Sequence, residues 1–229
     1  MVVVEAYRAI NHFEECKAFI LGHRKVLQVF DIANITSANL EWAFSPSSVI
    51  ITIKRKADGK LIGGARLQIA DDLLELPIES AVGEMDDEIF KYINNLKSSG
   101  IAEVCGMWNT REAAKLGIGS QFLTRSAICV APQLNLKSLI MLCAPSTVSM
   151  AKNFGAQVIK CIGNEGKFYY PKLDLVATAM LNKDIYDFSL VESKEVPLIK
   201  ELVERPILEK DNVSRRGLVS KVFYDLRIK

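Results

Sequence analysis

The chain has 229 residues, 49% of them hydrophobic, with 29 Lys and Arg against 27 Asp and Glu for a formal net charge of +2. That length holds one domain of ordinary size, or one with an extension, and the near-balanced charge supplies no field for nucleic acid. No apolar run approaches the ~20 residues that span a bilayer, and Met1–Glu5 carries no basic leader. The five cysteines (Cys16, Cys105, Cys129, Cys143 and Cys161) form no C-x-x-C pair, and only His12 and His23 could join them at a metal, so a cytoplasmic protein with reduced, mostly buried thiols and no metal is expected.

Val2 to Arg8 is short and β-rich, a first strand. Asn11 can cap a helix, and Phe13, Cys16, Ile20, Leu21, Val26 and Leu27 follow at near-helical spacing. Residues 34–48, with Pro46, read as a loop; its Trp42 and Phe44 either line a pocket or pack. Val49 to Arg55 and Leu61 to Ile69 are β-rich runs joined through Asp58-Gly59, a hairpin signal. Arg66 and Gln68 share one side of the second run. Arg66 either orients a carboxylate substrate or lies on a solvated face. Residues 71–83 read as a loop with a short apolar piece. Asp86 to Ser98 reads as an amphipathic helix stopped by Gly100.

Ile101 to Trp108 reads as a strand. Simple alternation puts Glu103, Cys105 and Met107 on one side and Val104, Gly106 and Trp108 on the other. A glycine inside a strand often marks a bulge or a close approach of backbone. Lys115-Leu116-Gly117-Ile118-Gly119-Ser120 follows, and then a helix from Gly119 to Val130 that stops by Pro132. Bare glycine backbone leading into a helix N-terminus makes a seat for an anion, most often a phosphate. It is neither the dinucleotide pattern, since Phe122 stands where a third small residue belongs, nor a Walker loop. Without a ligand, the same residues are only a tight turn.

Ser138 to Cys143 reads as a buried strand, Ser146 or Thr147 caps a further helix, and Val158 to Ile162 begins another strand before the turn Gly163-Asn164-Glu165-Gly166. A strand-like run covers Leu173 to Leu181. From Ile185 the texture changes: Glu192 to Glu204 is helix-prone, Pro206 breaks it, and Leu218 to Ile228 alternates as a strand after Arg215-Arg216-Gly217.

The piece from Ile101 through Ser120 resembles motif A of the GCN5-related N-acetyltransferases, and Ser149-Met150-Ala151-Lys152-Asn153-Phe154-Gly155-Ala156 is similar to their motif B. The resemblance covers residues 13–182 as an order of elements and 101–161 as motifs. It implies an α/β (α+β mixed) fold: a mixed, mostly antiparallel sheet splayed between strands 4 and 5, with helices on both faces. Residues 1–184 would form that domain. Residues 185–229 would be an extension packed on it or at a homodimer interface.

The resemblance further implies transfer of an acyl group to a small-molecule amine by direct attack. The donor would be acetyl-CoA, a longer acyl-CoA or an acyl-carrier protein. Lys115, Leu116, Gly117, Ile118, Gly119 and Ser120 would hold the pyrophosphate, and Met107, Trp108 and Asn109 would follow the pantetheine. A backbone N–H near Met107 or Trp108 would meet the thioester carbonyl. Glu103 would be the base, directly or through a water, unless it is merely paired with a lysine. Trp42 and Arg66 are the acceptor-side candidates. The helix at 86–98 and the segment Lys167-Phe168-Tyr169-Tyr170-Pro171 are similar to acyl-homoserine-lactone synthases and N-acyl amino acid synthases.

Three positions depart from the family pattern. Ala114 replaces the Gln or Arg of motif A, Ala151 the tyrosine acid of motif B, and Ala144 the asparagine near the start of that helix. The alternative expectation is therefore an acyl-CoA-binding module without efficient chemistry.

Overall fold

Long β-branched runs in the N-terminal third build three adjacent antiparallel strands, and the rest of the sheet grows outward from them on both sides. The computed structural model describes residues 1–29, 31–32, 35–214 and 217–229. Among these, ten strands form one sheet: β1 Val2–Arg8, β2 Ser48–Arg55, β3 Leu61–Ile69, β4 Ile101–Asn109, β5 Ser138–Cys143, β6 Gln157–Val158, β7 Lys167–Tyr169, β8 Val176–Asn182, β9 Ile207–Val213 and β10 Val219–Ile228. The order is β6-β8-β5-β4-β3-β2-β1-β10-β9, with β7 also on β8. Only β1–β10 and β4–β5 are parallel. The sheet is thus mixed and mostly antiparallel, as expected.

The helices are α1 Phe13–Val29, α2 Pro77–Val82, α3 Glu88–Lys97, α4 Arg111–Lys115, α5 Ser120–Val130, α6 Pro145–Asn153 and α7 Val196–Glu204. α5, α6 and α7 close one face over an aliphatic core that includes Val4, Ile51, Leu67, Val104 and Leu139. α1 covers the other face under β1–β3 through Phe19 and Ile20. α2 and α3 cover it further along, placing Ile78, Ile89 and Ile93 against Ile101 and Ile140. No helix among the described residues is long and apolar enough to cross a membrane.

The hairpin turns where Asp58-Gly59 stands, with Gly59 at φ +68. Cross-strand pairing then fixes which side chains share a face. Ser48, Gln68 and Glu103 form one row, Ile50, Arg66 and Cys105 the next, and Thr52, Gly64 and Trp108 the third. All three rows lie on the α1 face.

At the C-terminus β9 and β10 form a hairpin, and β10 lies parallel to β1, adding Val222, Tyr224 and Leu226 to the aliphatic core. β9 was not expected from sequence. The expected helix at 192–204 starts later, at Val196, and the expected strand at Val158 shrinks to Gln157–Val158. The loop expected at 71–83 contains α2, whose first turn is closed by Glu79 accepting from the Leu76 N–H at 2.7 Å. Position 34, at the start of the expected loop, and the Arg215-Arg216 lead-in lie outside the described residues. Cys16, Cys105, Cys129 and Cys143 are buried, and Cys161 is exposed.

Candidate active site

β4 and β5 pair only from Ile101 to Glu103 against Ser138 to Ile140. Both strands run on, β4 to Asn109 and β5 to Cys143, with no ladder between them. On its other side β4 carries a bulge: Gly64 pairs with Trp108 and Arg66 with Cys105, so three steps on β4 match two on β3. Gly106 supplies the turn at φ +56, a value that favours glycine.

The bulge corrects the simple alternation. Met107 packs with Val104 against the α5 core, whereas Trp108 returns to the face of Glu103 and Cys105. An extra residue flips every later side chain to the other side of the sheet. Trp108 is buried under α1, where the bare Cα of Gly22 receives it; a Cβ there would lie 2.1 Å from the indole. It does not line the cavity described next. Neither does Asn109, whose amide donates to Ser120 Oγ at 3.1 Å.

Where β4 and β5 part, a cavity of about 250 Å³ opens. Glu103, Gly106 and Met107 line it from β4, Met141 to Cys143 from β5, and Pro145 and Met150 from α6. It continues past Leu27, Ile35, Leu175 and Val176, which are apolar. Glu103 is 3% exposed, so it is not a surface carboxylate paired with lysine. Its Oε2 accepts from the Ile78 N–H at 2.8 Å. Burial pushes its pKa up to about 7, with Glu79 adding to the rise and Ile78 and Arg66 opposing it. The carboxyl group is poised between forms at neutral pH.

Three further residues on this cavity were not expected as site residues: His23, Thr36 and Tyr170, the last lying in the 167–171 segment that resembles the synthases. His23 projects from α1. Tyr170 and Thr36 tie the cavity's two loops together: the Thr36 N–H donates to Tyr170 Oη at 2.9 Å, and Thr36 Oγ1 donates to the Pro77 carbonyl at 2.9 Å. Tyr170 Oη and Thr36 Oγ1 are 3.1 Å apart. With the threonine proton on Pro77, the phenol proton goes to Thr36, so Tyr170 is a clasp.

Arg66 is not on a solvated face. It is 2% exposed, with its guanidinium carbon 4.6 Å over the Trp42 ring and Nε donating to Cys105 Sγ at 3.1 Å. Its Nη1 has no partner among the described residues, nor does Nε2 of the neighbouring Gln68. Arg66, Gln68 and Trp42 line a second pocket of about 270 Å³, which shares Thr36 and Pro77 with the first. Trp42 therefore both packs and lines a pocket. Phe44 is 64% exposed and stacks on Phe13.

Beyond the end of β4, Thr110 caps α4 by accepting from the Ala113 N–H at 3.3 Å. Gly117, at φ +71, ends that helix: its N–H and that of Ile118 donate to Ala114 and Ala113 carbonyls at 3.0 and 2.9 Å. Ile118 is buried, and Lys115 is exposed. The next N–H groups, of Gly119, Ser120 and Gln121, find no acceptor among the described residues. A Cβ at Gly119 would meet nothing within 4 Å, whereas at Gly117 it would lie 2.5 Å from Ser214 Cβ. The C-terminal hairpin thus backs the loop on one side and leaves the helix N-terminus open on the other. That open start of an eleven-residue helix suits an anion. No group of three or more His, Cys, Asp and Glu clusters as for a metal among the described residues.

A sheet parted at a bulged strand, followed by a glycine loop opening a helix, is the fold of the GCN5-related N-acetyltransferases, and the chain has that fold. No protein-family model matches it, and no curated protein does. Solved structures do. The N-acyl amino acid synthase FeeM from uncultured soil microbes is 16% identical, over 78% of this chain and 95% of that one, at a TM-score of 0.58. An acyl-CoA N-acyltransferase from Pseudomonas aeruginosa is 11% identical over 79% and 99%, at 0.54. The CoA-dependent acyl-homoserine lactone synthase BjaI is 12% identical over 90% and 91%, at 0.53. These neighbours include the branch to which the sequence leans.

Proposed function

We propose that the protein is an N-acyltransferase that moves an acyl group from a CoA thioester, or from an acyl-carrier protein, to an amine. One observation carries the reading. The gap between β4 and β5 holds a buried carboxylate with a pKa near neutrality, at the foot of a strand that leads to an open helix N-terminus. The free N–H groups of residues 119–121 and the Lys115–Ser120 turn seat the pyrophosphate. The pantetheine arm runs into the gap past Met107. A backbone N–H at the Gly106–Met107 bulge, where neither residue has a register partner on β3, faces the carbonyl as it gains charge.

Glu103 takes a proton from the acceptor ammonium, and the freed lone pair attacks the carbonyl carbon. Collapse of the adduct breaks the C–S bond. No strong acid is required, since a thiolate is a stable leaving group near neutral pH. That suits a chain in which the motif B tyrosine is Ala151, fully buried. The apolar walls beyond the gap, Leu27, Ile35, Leu175 and Val176, favour a chain longer than acetyl. Arg66, stacked on Trp42 with an unpaired Nη1, holds an anionic group of the acceptor, so an acceptor with a carboxylate fits.

The test is thiol release from acetyl-, decanoyl- and palmitoyl-CoA with and without a panel of amines that includes the twenty amino acids. Release that depends on the amine, and is faster with decanoyl than acetyl, is expected. Acyl-CoA binding by calorimetry with no release for any amine would instead identify a binding module.

A further inference from the structure

His23 has no part in the steps above. It is 3% exposed in the middle of α1, and its ring lines the cavity. A Cβ built on Gly106 would lie 3.7 Å from His23 Cε1, so the ring edge sits directly over the bulge. Its Nδ1 has no hydrogen-bond partner among the described residues. Buried polar atoms are rarely left so, and a structural histidine is normally held through a ring nitrogen. The ring neighbours Phe19, at 6.2 Å between centroids, and makes no side-chain hydrogen bond among the described residues. Burial, and secondarily the Arg66 charge, push its pKa down to about 4. The imidazole is therefore neutral and offers a lone pair.

We propose that His23 touches the acceptor amine and takes its second proton. The inference rests on the acyl-transfer reading. An ammonium must lose two protons to become an amide nitrogen. Glu103 takes the first, and the C–N bond forms. Glu103 is then already protonated, while the adduct nitrogen still carries a proton in excess. That proton passes to the imidazole as the C–S bond breaks. The departing thiolate takes the Glu103 proton, and the imidazolium gives its own to solvent. The sum is ammonium plus thioester to amide, thiol and one released proton.

Wild type, His23→Phe and His23→Asn are compared by thiol release with decanoyl-CoA and the best amino acid acceptor of the panel. For His23→Phe the expected result is a KM for decanoyl-CoA within twofold of wild type and kcat/KM for the amine lower by at least 30-fold. His23→Asn keeps a hydrogen-bond acceptor but cannot carry a proton. It is expected to recover the KM for the amine and not kcat. Amine kcat/KM within threefold of wild type in His23→Phe overturns the proposal, as does a wild-type kcat in His23→Asn, which also serves if the Phe variant does not fold. Equal damage to the KM of both substrates marks a packing role and overturns it too. If the wild type itself releases no thiol with any amine, the acyl-transfer reading fails and this proposal falls with it. Failure of the variants alone leaves that reading standing.

Discussion

Arg125 and Arg66 are both buried, at 5% and 2% exposure, on opposite sides of the same sheet. Arg125, on α5, donates through Nε and Nη2 to Glu195 Oε2 at 2.8 and 2.6 Å, and through Nη1 to Tyr224 Oη at 3.3 Å. It ties α5 to the C-terminal hairpin and to the segment before α7. Arg66 has no carboxylate partner among the described residues, only an aromatic face and a thiol. The α5 face is mostly apolar, although Ser126 Oγ and Asn109 Oδ1 lack partners there, while the α1 face buries Gln68, Glu103, Thr52 and His23 beside Arg66. A buried charge without a partner is costly, and a buried polar group without a hydrogen bond costs about 1–3 kcal/mol. The α5 face holds the fold together. The α1 face stays underpaired, and in the proposed reaction bound substrate would complete its bonds.

The largest expected effect is on turnover. Glu103→Gln is predicted to lower kcat by roughly 10²–10⁴ while acyl-CoA binding is retained, and to remove the limb in the pH–rate profile near pH 7. The same residue sets a stability slope. Its pKa rises from 4.5 unfolded to about 7 folded, so the folded state binds more protons between those values. Stability should therefore fall as pH climbs from about 4.5 to 7, by about 3 kcal/mol from this group. Urea denaturation at pH 5 and 8 checks this, and the slope should flatten in Glu103→Gln. Equal pH dependence in both proteins would remove Glu103 from the α1 face's account.

Next come the two arginines. Arg125→Met strands Glu195 and should cost about 3–5 kcal/mol in denaturant unfolding. Arg66→Met breaks no ion pair among the described residues and removes only a secondary charge near Glu103, so it should leave stability about level, while cutting kcat/KM for carboxylate-bearing acceptors by about 30-fold. If both substitutions destabilise alike, the contrast between the faces is wrong. The smallest effect tests the proposed anion seat at the N-terminus of α5. Gly119→Glu should fold, because open space surrounds that Cβ and its φ of −118 is ordinary, yet weaken CoA binding at least tenfold by calorimetry.

Much of the site was legible because local chemistry sets it. Gly117 and Gly119 before a helix marked the open helix start proposed as an anion seat, Gly106 marked the bulge, and the alternation around Glu103 put it beside Cys105. Met107 and Trp108 were assigned to the wrong sides because alternation assumes an unbroken ladder, and the bulge adds one residue. Arg66 offered two readings, cleft or solvent. Neither anticipated full burial, because burial depends on α1 and the loop carrying Trp42, more than twenty residues away in sequence. The sequence offered His23 only as a possible metal ligand, because a single histidine in an amphipathic helix looks like any core residue.

By itself the sequence determined the β2–β3 hairpin, the strand at β1 and the motif order that points to the acetyltransferase fold, since each rests on neighbours within a few residues; it did not fix the helix starts, for α6 is capped at Ala144 rather than at Ser146 or Thr147. Only the tertiary structure decided that β10 would lie parallel to β1, that α2 would bring the Ile78 N–H to Glu103, and that rows from three strands would gather unpaired polar groups under one helix. Such contacts join segments tens to hundreds of residues apart. Their energy comes from shared burial, which no local window of the chain contains.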